Sequence, residues 1–454
     1  MQTSNVNIKV RFPPSPTGYC HVGTARMGIL NYLFAKKNGG TIVYRSEDTD
    51  KERSRAEFEQ DIIEQLHWLG LSWDEFYRQS ERTGLYRGAI EKLIAEGKAF
   101  ISQEASKKEE GKRVQVIRLK NPGSKITFTD LIRGDITFDT AELKDFAIAR
   151  AVDDPLYHLA VVVDDAAMGI THVLRGEDHI SNTPRQILIQ EALGLPRPAY
   201  AHYPLHLSPE RAKLSKRMGD VAVRDYREKG YVPEALLNYL AVLGWTPPSQ
   251  REILSLSEMI EEFDIRDLHK SGAIFDVEKL NWFNREYIKK MSMTEFADYC
   301  MPVLKREFEA RNIPWNREAG ERLIFVLKGA TNTSKDLEEA VQKGEYDYVF
   351  VDPRPQAVHI PDKKSNKEEA LKHLEYIRSV LEPIPAGERF NQVHLLDTVW
   401  IYATENGRGA VLWPLRYVLT GREKSPSPFV VADVIGKEAT IRRIDTAIGI
   451  LEGV

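Results

Sequence analysis

Cysteine is almost missing from this chain. Its 454 residues include only Cys20 and Cys300, with no CxxC pair, which excludes a disulfide scaffold and a cysteine-rich zinc site and fits a reducing compartment. No run of about eighteen apolar residues occurs, so no membrane-spanning helix is expected. The opening Met1-Gln-Thr-Ser-Asn-Val-Asn7 lacks the charged-then-apolar layout of a secretory signal, and the expected location is the cytoplasm. Internal repeats and low-complexity tracts are absent too. Neither sign of charge dominates: 63 Lys and Arg stand against 67 Asp and Glu, a net −4 that on its own argues weakly against nucleic acid as a partner. That balance hides one basic run between Glu104 and Lys125, with seven Lys or Arg against three Glu, which suits either phosphate contact or a solvated surface.

What is present points to several domains. The length allows two to four, and 42% hydrophobic with 29% charged residues is the balance of a globular protein. Ile8–Phe12 reads as a buried strand. A helix follows Gly23, with Met27, Leu30, Leu33 and Phe34 at helical spacing and a stop at Asn38-Gly-Gly40. Thr41–Arg45 reads as a second strand, running into the acidic cluster Glu47-Asp-Thr-Asp50. A second helix buries Phe58, Ile62, Ile63, Leu66 and Leu69. Strand, helix, strand, helix in these lengths predicts a parallel α/β sheet, whose ligands sit beyond the carboxyl ends of the strands. From about Tyr77 to Leu156 the rhythm changes: a helix around Leu85–Glu96 gives way to β-rich, charged sequence such as Val114–Lys120, as an inserted domain would. The α/β rhythm resumes with Tyr157-His-Leu-Ala-Val-Val-Val-Asp164, where Tyr157 opens the second half of the sheet, and with the strand Ile170–Arg175. Beyond Asp225 the pattern is mostly helical, and the polar connection Asp352–Lys367 divides the last region into two lobes.

Three groups of residues carry candidate chemistry. The first is Val10–Thr24, where three prolines stiffen a loop that ends in His21-Val-Gly-Thr24 at a helix entrance. A helix N-terminus offers unpaired N–H groups and the positive end of a dipole, so phosphate binds there readily. A rigid turn without a ligand would look the same. The second is Lys213-Leu-Ser-Lys216-Arg217, a basic loop able to steady a polyphosphate leaving group or simply to stay solvated. The third is Arg11, Glu47 and Arg175 at strand ends. Two arginines fit a ligand carboxylate and a glutamate fits an ammonium, which together would make a pocket for an acidic amino acid. Tyr157 adds a hydroxyl. No Ser-His-Asp or Cys-His set is evident. His158, His172, His179, His202 and His206 lack metal-ligand spacing and are taken as structural or surface residues.

Eight ordered segments resemble the glutamyl-tRNA synthetase family of class I aminoacyl-tRNA synthetases, bacterial type. They are Arg11-Phe-Pro-Pro-Ser-Pro-Thr-Gly18, His21-Val-Gly-Thr24, Arg45-Ser-Glu-Asp-Thr-Asp50, Tyr157-His-Leu-Ala160, Val163-Asp-Asp165, Arg175-Gly-Glu-Asp-His179, Asn182-Thr-Pro-Arg-Gln186 and Lys213-Leu-Ser-Lys-Arg217. Weaker echoes are Phe275–Leu280 and Trp413–Gly421. The resemblance implies an α/β Rossmann-type catalytic domain with an inserted α+β acceptor-binding domain, followed by an all-α anticodon-binding domain. On this sequence those map to a catalytic domain in residues 1–78 and 157–225, an insertion in 79–156, a stem-contact region in 226–292 and the helical domain in 293–454.

It also implies ATP-dependent attachment of L-glutamate to tRNA(Glu) through glutamyl-adenylate, by a monomer, with Mg²⁺ carried by ATP and no protein-bound zinc. Charging of tRNA(Gln) stays open. By the resemblance His21, Gly23, Thr24 and Asp178 would meet ATP, and Lys213 and Lys216 would steady pyrophosphate. Arg11, Ser15, Glu47, Tyr157 and Arg175 would line the glutamate pocket. Three departures stand out: Pro13 where alanine is frequent, Val161 where some members have asparagine, and a short, cysteine-free insertion around Phe100–Arg113. A glutaminyl enzyme should lack one carboxylate-binding arginine, and a catalytically silent relative should have lost His21, Lys213 or Lys216. The truncated paralogue that glutamylates a modified tRNA base should lack Met293–Val454. None of these losses is present.

Overall fold

The computed structural model describes residues 7–105, 113–208, 221–387 and 390–453. The chain forms two compact units, Met1–Phe283 and Asn284–Val454.

In the first unit β1 (Lys9–Phe12), α1 (Val22–Lys37), β2 (Thr41–Ser46), α2 (Ala56–Trp68) and β3 (Glu75–Arg78) alternate. Their strands form a parallel sheet in the order β1-β2-β3, as the helical crossovers require. After α3 (Thr83–Ala95) come six strands: β4 (Ala99–Ala105), β5 (Arg113–Leu119), β6 (Lys125–Asp130), β7 (Gly134–Asp139), β8 (Phe146–Ala151) and β9 (Asp154–Pro155). Four of them make the antiparallel sheet β4-β5-β8-β9. The hairpin β6–β7 does not join it.

The chain returns through α4 (Tyr157–Ala167), β10 (His172–Gly176), α5 (Thr183–Leu193) and β11 (Ala199–Tyr203). Here β10 and β11 pair in parallel, and β6 adds to the outer edge of β11, giving β10-β11-β6-β7. Thr171 couples the two halves, because its N–H donates to Lys9 O at 2.9 Å while its own carbonyl accepts from Ala199 N–H at 2.9 Å. The unit continues with β12 (His206–Leu207), α6 (Val223–Glu228), α7 (Pro233–Val242), α8 (Leu256–Glu262) and β13 (Ala273–Ile274), which pairs to β12, and the boundary at Phe283 falls within α9 (Val277–Lys290).

One expectation is corrected. Tyr157–Asp164 does not open the second half of the sheet as a strand; it is helix α4, with Tyr157 its first residue. The run Leu159–Val163 is buried all round, and a continuous apolar run has no periodicity to separate a buried helix from a buried strand.

The second unit is helical: α10 (Met293–Ala310), α11 (Arg317–Leu327), α12 (Ser334–Gln342), α13 (Lys367–Leu381), α14 (Gln392–Glu405), α15 (Arg408–Thr420) and α16 (Pro428–Glu452). Helices on both sides of Asp352–Lys367 contribute to one continuous apolar core, from Ile288 to Leu451. Gly436, at φ +82°, breaks the helical course of α16, a conformation that costs glycine little. Arg443 is buried and donates to Asp352 Oδ1, Leu419 O and Tyr348 O, tying the connection to the helices.

Candidate active site

A cavity of about 460 Å³ opens at the carboxyl ends of β1, β2 and β10, within the usual range for small-molecule sites. Arg11, Pro13 and Ser15 line it from the end of β1 and the proline loop, and Glu47 from the end of β2. Tyr157 enters from the first residue of α4, and Arg175, Gly176 and Asp178 from the end of β10. The prolines fix the loop's course, and Pro14 O accepts from Glu47 N–H at 2.9 Å, holding the ends of β1 and β2 together. Sequence therefore supplies the cluster by strand order, since each of these residues sits at or just after a strand or helix terminus.

Under the cavity the charges alternate. Arg11 Nε donates to Asp165 Oδ1 at 3.3 Å, Arg45 Nη1 donates to the same oxygen at 2.6 Å, and Arg45 Nη2 donates to Glu47 Oε1 at 2.9 Å. Burial works against the Arg45 charge, but Asp165, Glu47 and Asp164 around it outweigh that and push its pKa up. Burial raises the Glu47 pKa, against the opposing pull of Arg45 and Arg11. Asp164 is satisfied separately, by Gln79 Nε2 at 2.9 Å, Arg82 Nε at 2.6 Å and Tyr86 Oη at 2.7 Å.

Arg175 differs from its neighbours. It is 5% exposed, and its three hydrogen-bond partners are uncharged: His202 Nε2 at 3.0 Å, Gln186 Oε1 at 2.7 Å and Thr183 Oγ1 at 2.7 Å. Among the described residues no carboxylate pairs with it. Burial lowers its pKa, as expected for a guanidinium without a direct counterion. Each Nη retains a second N–H, so the side chain is a desolvated cation able to meet an anion from the cavity.

Tyr157 Oη lies 3.2 Å from His179 Nδ1, which also accepts from Asn182 Nδ2 at 3.2 Å. A nitrogen that accepts from an amide carries no proton, so the phenol donates to it and keeps its lone pairs for a donor in the cavity. Burial first, then Glu47, pushes the Tyr157 pKa up to about 12. Burial, followed by Arg175, brings His179 down to about 4, so the ring is neutral at physiological pH.

The other end of the cavity is the entrance of α1. His21 caps the helix, its Nδ1 accepting from Gly23 N–H at 3.0 Å, which leaves the ring proton on Nε2. Gly23 and Thr24 line the same wall. At Gly176 a Cβ would stand 2.6 Å from Asp178 Oδ1, so glycine there lets Asp178 fold back over the strand end. Lys213 and Lys216 lie outside the described residues. Leu205 and His206, which precede them in sequence, line the cavity, and after them Val221 O accepts from Val22 N–H at 2.9 Å while Val223 N–H donates to Cys20 O at 2.8 Å.

All the sequence-derived pocket residues within the described chain thus line one cavity. Others there escaped the sequence reading. His179 and His206, taken as structural or surface residues, are cavity walls. Arg26 is also a wall, donating to Pro204 O at 2.6 Å and Leu243 O at 2.5 Å, with burial lowering its pKa to about 10. Its single signal was an arginine on the otherwise apolar face of α1. Val161 is buried within α4. Among the described residues no group of three or more His, Cys, Asp or Glu is placed to hold a metal, and no helix is long and apolar enough to cross a membrane.

A parallel sheet with an arginine-lined crevice and a His-capped helix entrance at its carboxyl edge, followed by a helical unit, is the arrangement expected from the resemblance, and the family models place the chain among the class I aminoacyl-tRNA synthetases. The model for "tRNA synthetases class I (E and Q), catalytic domain" matches residues 7–113 and 101–282, and that for "Anticodon binding domain" matches residues 278–448. A glutamate–tRNA ligase of Aquifex aeolicus is 40% identical, covering 96% of this chain and 98% of its own, and one of Carboxydothermus hydrogenoformans is 38% identical, covering 96% and 99%. A crystal structure of a glutamate tRNA ligase from Elizabethkingia meningosepticum in complex with its amino acid has a TM-score of 0.83 at 31% identity, covering 98% of this chain and 100% of that one. The chain belongs to the glutamate–tRNA ligase family.

Proposed function

We propose that this protein attaches L-glutamate to tRNA(Glu) in two steps, using ATP that arrives as its Mg²⁺ complex. The observation that carries the reading is Arg175, a buried guanidinium whose hydrogen bonds all go to uncharged groups, in a cavity shared with Arg11, Glu47 and a helix entrance. The side-chain carboxylate of glutamate is the missing counterion, its ammonium meets Glu47 and Tyr157 Oη, and Ser15 borders the same pocket. The α-carboxylate oxygen then attacks the α-phosphorus of ATP and pyrophosphate leaves. His21 Nε2–H and the Gly23 and Thr24 end of α1 face the phosphates, Asp178 lies beside the nucleotide, and Lys213 and Lys216 neutralise the leaving pyrophosphate. In the second step a hydroxyl of the terminal tRNA ribose attacks the glutamyl carbonyl and AMP leaves. No covalent nucleophile on the protein is needed; catalysis is positioning and countercharge.

The same reading gives residues 79–156 the acceptor end, 226–292 the stem and 293–454 the anticodon, in a cytoplasmic monomer. Aminoacylation with radiolabelled glutamate and ATP, run side by side on purified tRNA(Glu) and tRNA(Gln), tests it. Charging of tRNA(Glu) is expected, and the second arm reads whether tRNA(Gln) is accepted. No charging of either sinks the proposal. Arg11→Ala should raise the glutamate requirement far more than the ATP requirement. Lys216→Ala should slow adenylate formation by orders of magnitude with tRNA affinity nearly intact.

A further inference from the structure

Arg175 raises a second question: what stabilises a buried cation before any substrate arrives, and what aims it? Its Nε donates to His202 Nε2 at 3.0 Å. Arginine only donates, so Nε2 is bare and the ring proton sits on Nδ1. Nδ1 lies 2.7 Å from Asp130 Oδ2 and donates to it. The result is an unbroken line of carboxylate, neutral imidazole and guanidinium, with Asp130 and His202 2% and 0% exposed.

The line is anchored at its far end. Asp130 Oδ2 also accepts from His202 N–H at 3.0 Å, and Oδ1 accepts from the N–H groups of Ile132 and Arg133, each at 3.0 Å. Four acceptor contacts leave the carboxylate no freedom to turn. Burial alone would raise the Asp130 pKa, yet the His202 and backbone bonds bring it below the usual carboxylate range, so it is ionised. Burial lowers His202, against the pull of Asp130, and keeps the ring neutral. The strands explain the alignment, since β10 and β11 run parallel with Arg175 opposite His202, and β6 lies against β11 with Asp130 opposite Tyr200.

We propose that Asp130 and His202 are positioning residues for Arg175: through the neutral imidazole, Asp130 supplies an indirect countercharge and fixes the guanidinium fork toward the substrate's side-chain carboxylate. The relay rests on the glutamate-pocket reading of Arg175. It makes the β6–β7 hairpin, which comes from the inserted segment, a supporting part of amino-acid selection. A fork held in one orientation favours a charged, planar carboxylate over the neutral amide of glutamine; a loosened fork discriminates less.

The test is steady-state aminoacylation by the full chain with its tRNA, for the wild type and four variants. Arg175→Ala comes first, because an unchanged glutamate KM there removes the pocket reading itself. With that variant impaired, His202→Leu and Asp130→Asn should each raise the glutamate KM roughly tenfold to a hundredfold. The ATP KM should stay within about twofold and kcat should change little, since ground state and transition state lose the same contact. Glutamine should compete better against glutamate in both. His202→Gln, whose amide can accept at one end and donate from the other, should recover most of the loss. Arg175→Ala impaired but His202→Leu and Asp130→Asn unchanged in glutamate KM overturns the relay. So does a parallel rise of both KM values, which marks a general packing role. Where His202→Leu fails to fold, the pair Asp130→Asn and His202→Gln decides: equal losses in both count against the relay.

Discussion

At the scale of single residues, Glu47 and Arg175 show how burial prepares a group for a ligand it does not yet hold. Arg45 is enclosed by Asp165, Glu47 and Asp164, so its charge is already matched. Glu47 shares that arginine and is still raised by burial, so a cation arriving from the cavity restores its preference for the ionised form. Glutamate binding should accordingly weaken as the pH falls through the raised pKa of Glu47, because protonation removes the ammonium's partner. A plot of log glutamate KM against pH should show an acid-side inflection above the ordinary carboxylate range, and Glu47→Gln should abolish it. The same substitution should cost about 2 kcal/mol or more of substrate affinity, roughly a thirtyfold rise in glutamate KM. Arg45 keeps Asp165 at 2.6 Å in that variant, so the fold should survive. A Glu47→Gln enzyme with an unchanged inflection would remove Glu47 from the ammonium site.

At the scale of elements, the end of β10 carries the next prediction. Replacing Gly176 by alanine would put a methyl group 2.6 Å from Asp178 Oδ1 and 3.2 Å from Leu205 Cδ2. The carboxylate is the mobile partner, so Asp178 should swing off the strand end. Gly176→Ala should raise the ATP KM several-fold with little change in glutamate KM, read from the same aminoacylation assay; the reverse pattern would move Asp178 out of the nucleotide end. Elements also decide what a sequence discloses. The course β1, α1, β2, α2 was readable because each has its own period and punctuation, such as the Asn38-Gly-Gly40 stop, and strand-end logic then brought Arg11, Glu47 and Arg175 together. Helix α4 departs from the expected strand because Leu159–Val163 is buried on every side and carries no period to tell the two apart. The Asp130–His202 contact was invisible for another reason. It joins residues 72 apart in sequence and follows from β6 joining the edge of β11, a pairing that no local pattern in Lys125–Asp130 announces. His202 alone looked like any buried histidine. Its meaning comes from lying opposite Arg175 in the sheet.

At the scale of the whole molecule, two units with apolar cores of their own should not melt as one. The catalytic unit buries residues such as Ile117, Ile148, Leu159 and Ile187, and the helical unit a separate set that includes Phe296, Leu374 and Leu415. A chain built this way departs from two-state behaviour, and calorimetry should resolve at least two transitions. Each can be assigned by moving it alone. Ser292 caps α10 in a reciprocal box, with Ser292 N–H donating to Glu295 Oε2 at 2.7 Å and Glu295 N–H donating to Ser292 Oγ at 3.2 Å. Ser292→Ala should cost about 1 kcal/mol and lower one transition by about 2–4 °C. L-Glutamate with a non-hydrolysable ATP analogue, binding only the folded cavity, should raise the other transition by mass action and leave the first in place. If the ligands and Ser292→Ala shift one and the same transition, the units unfold together, and their separate cores do not confer separate stability.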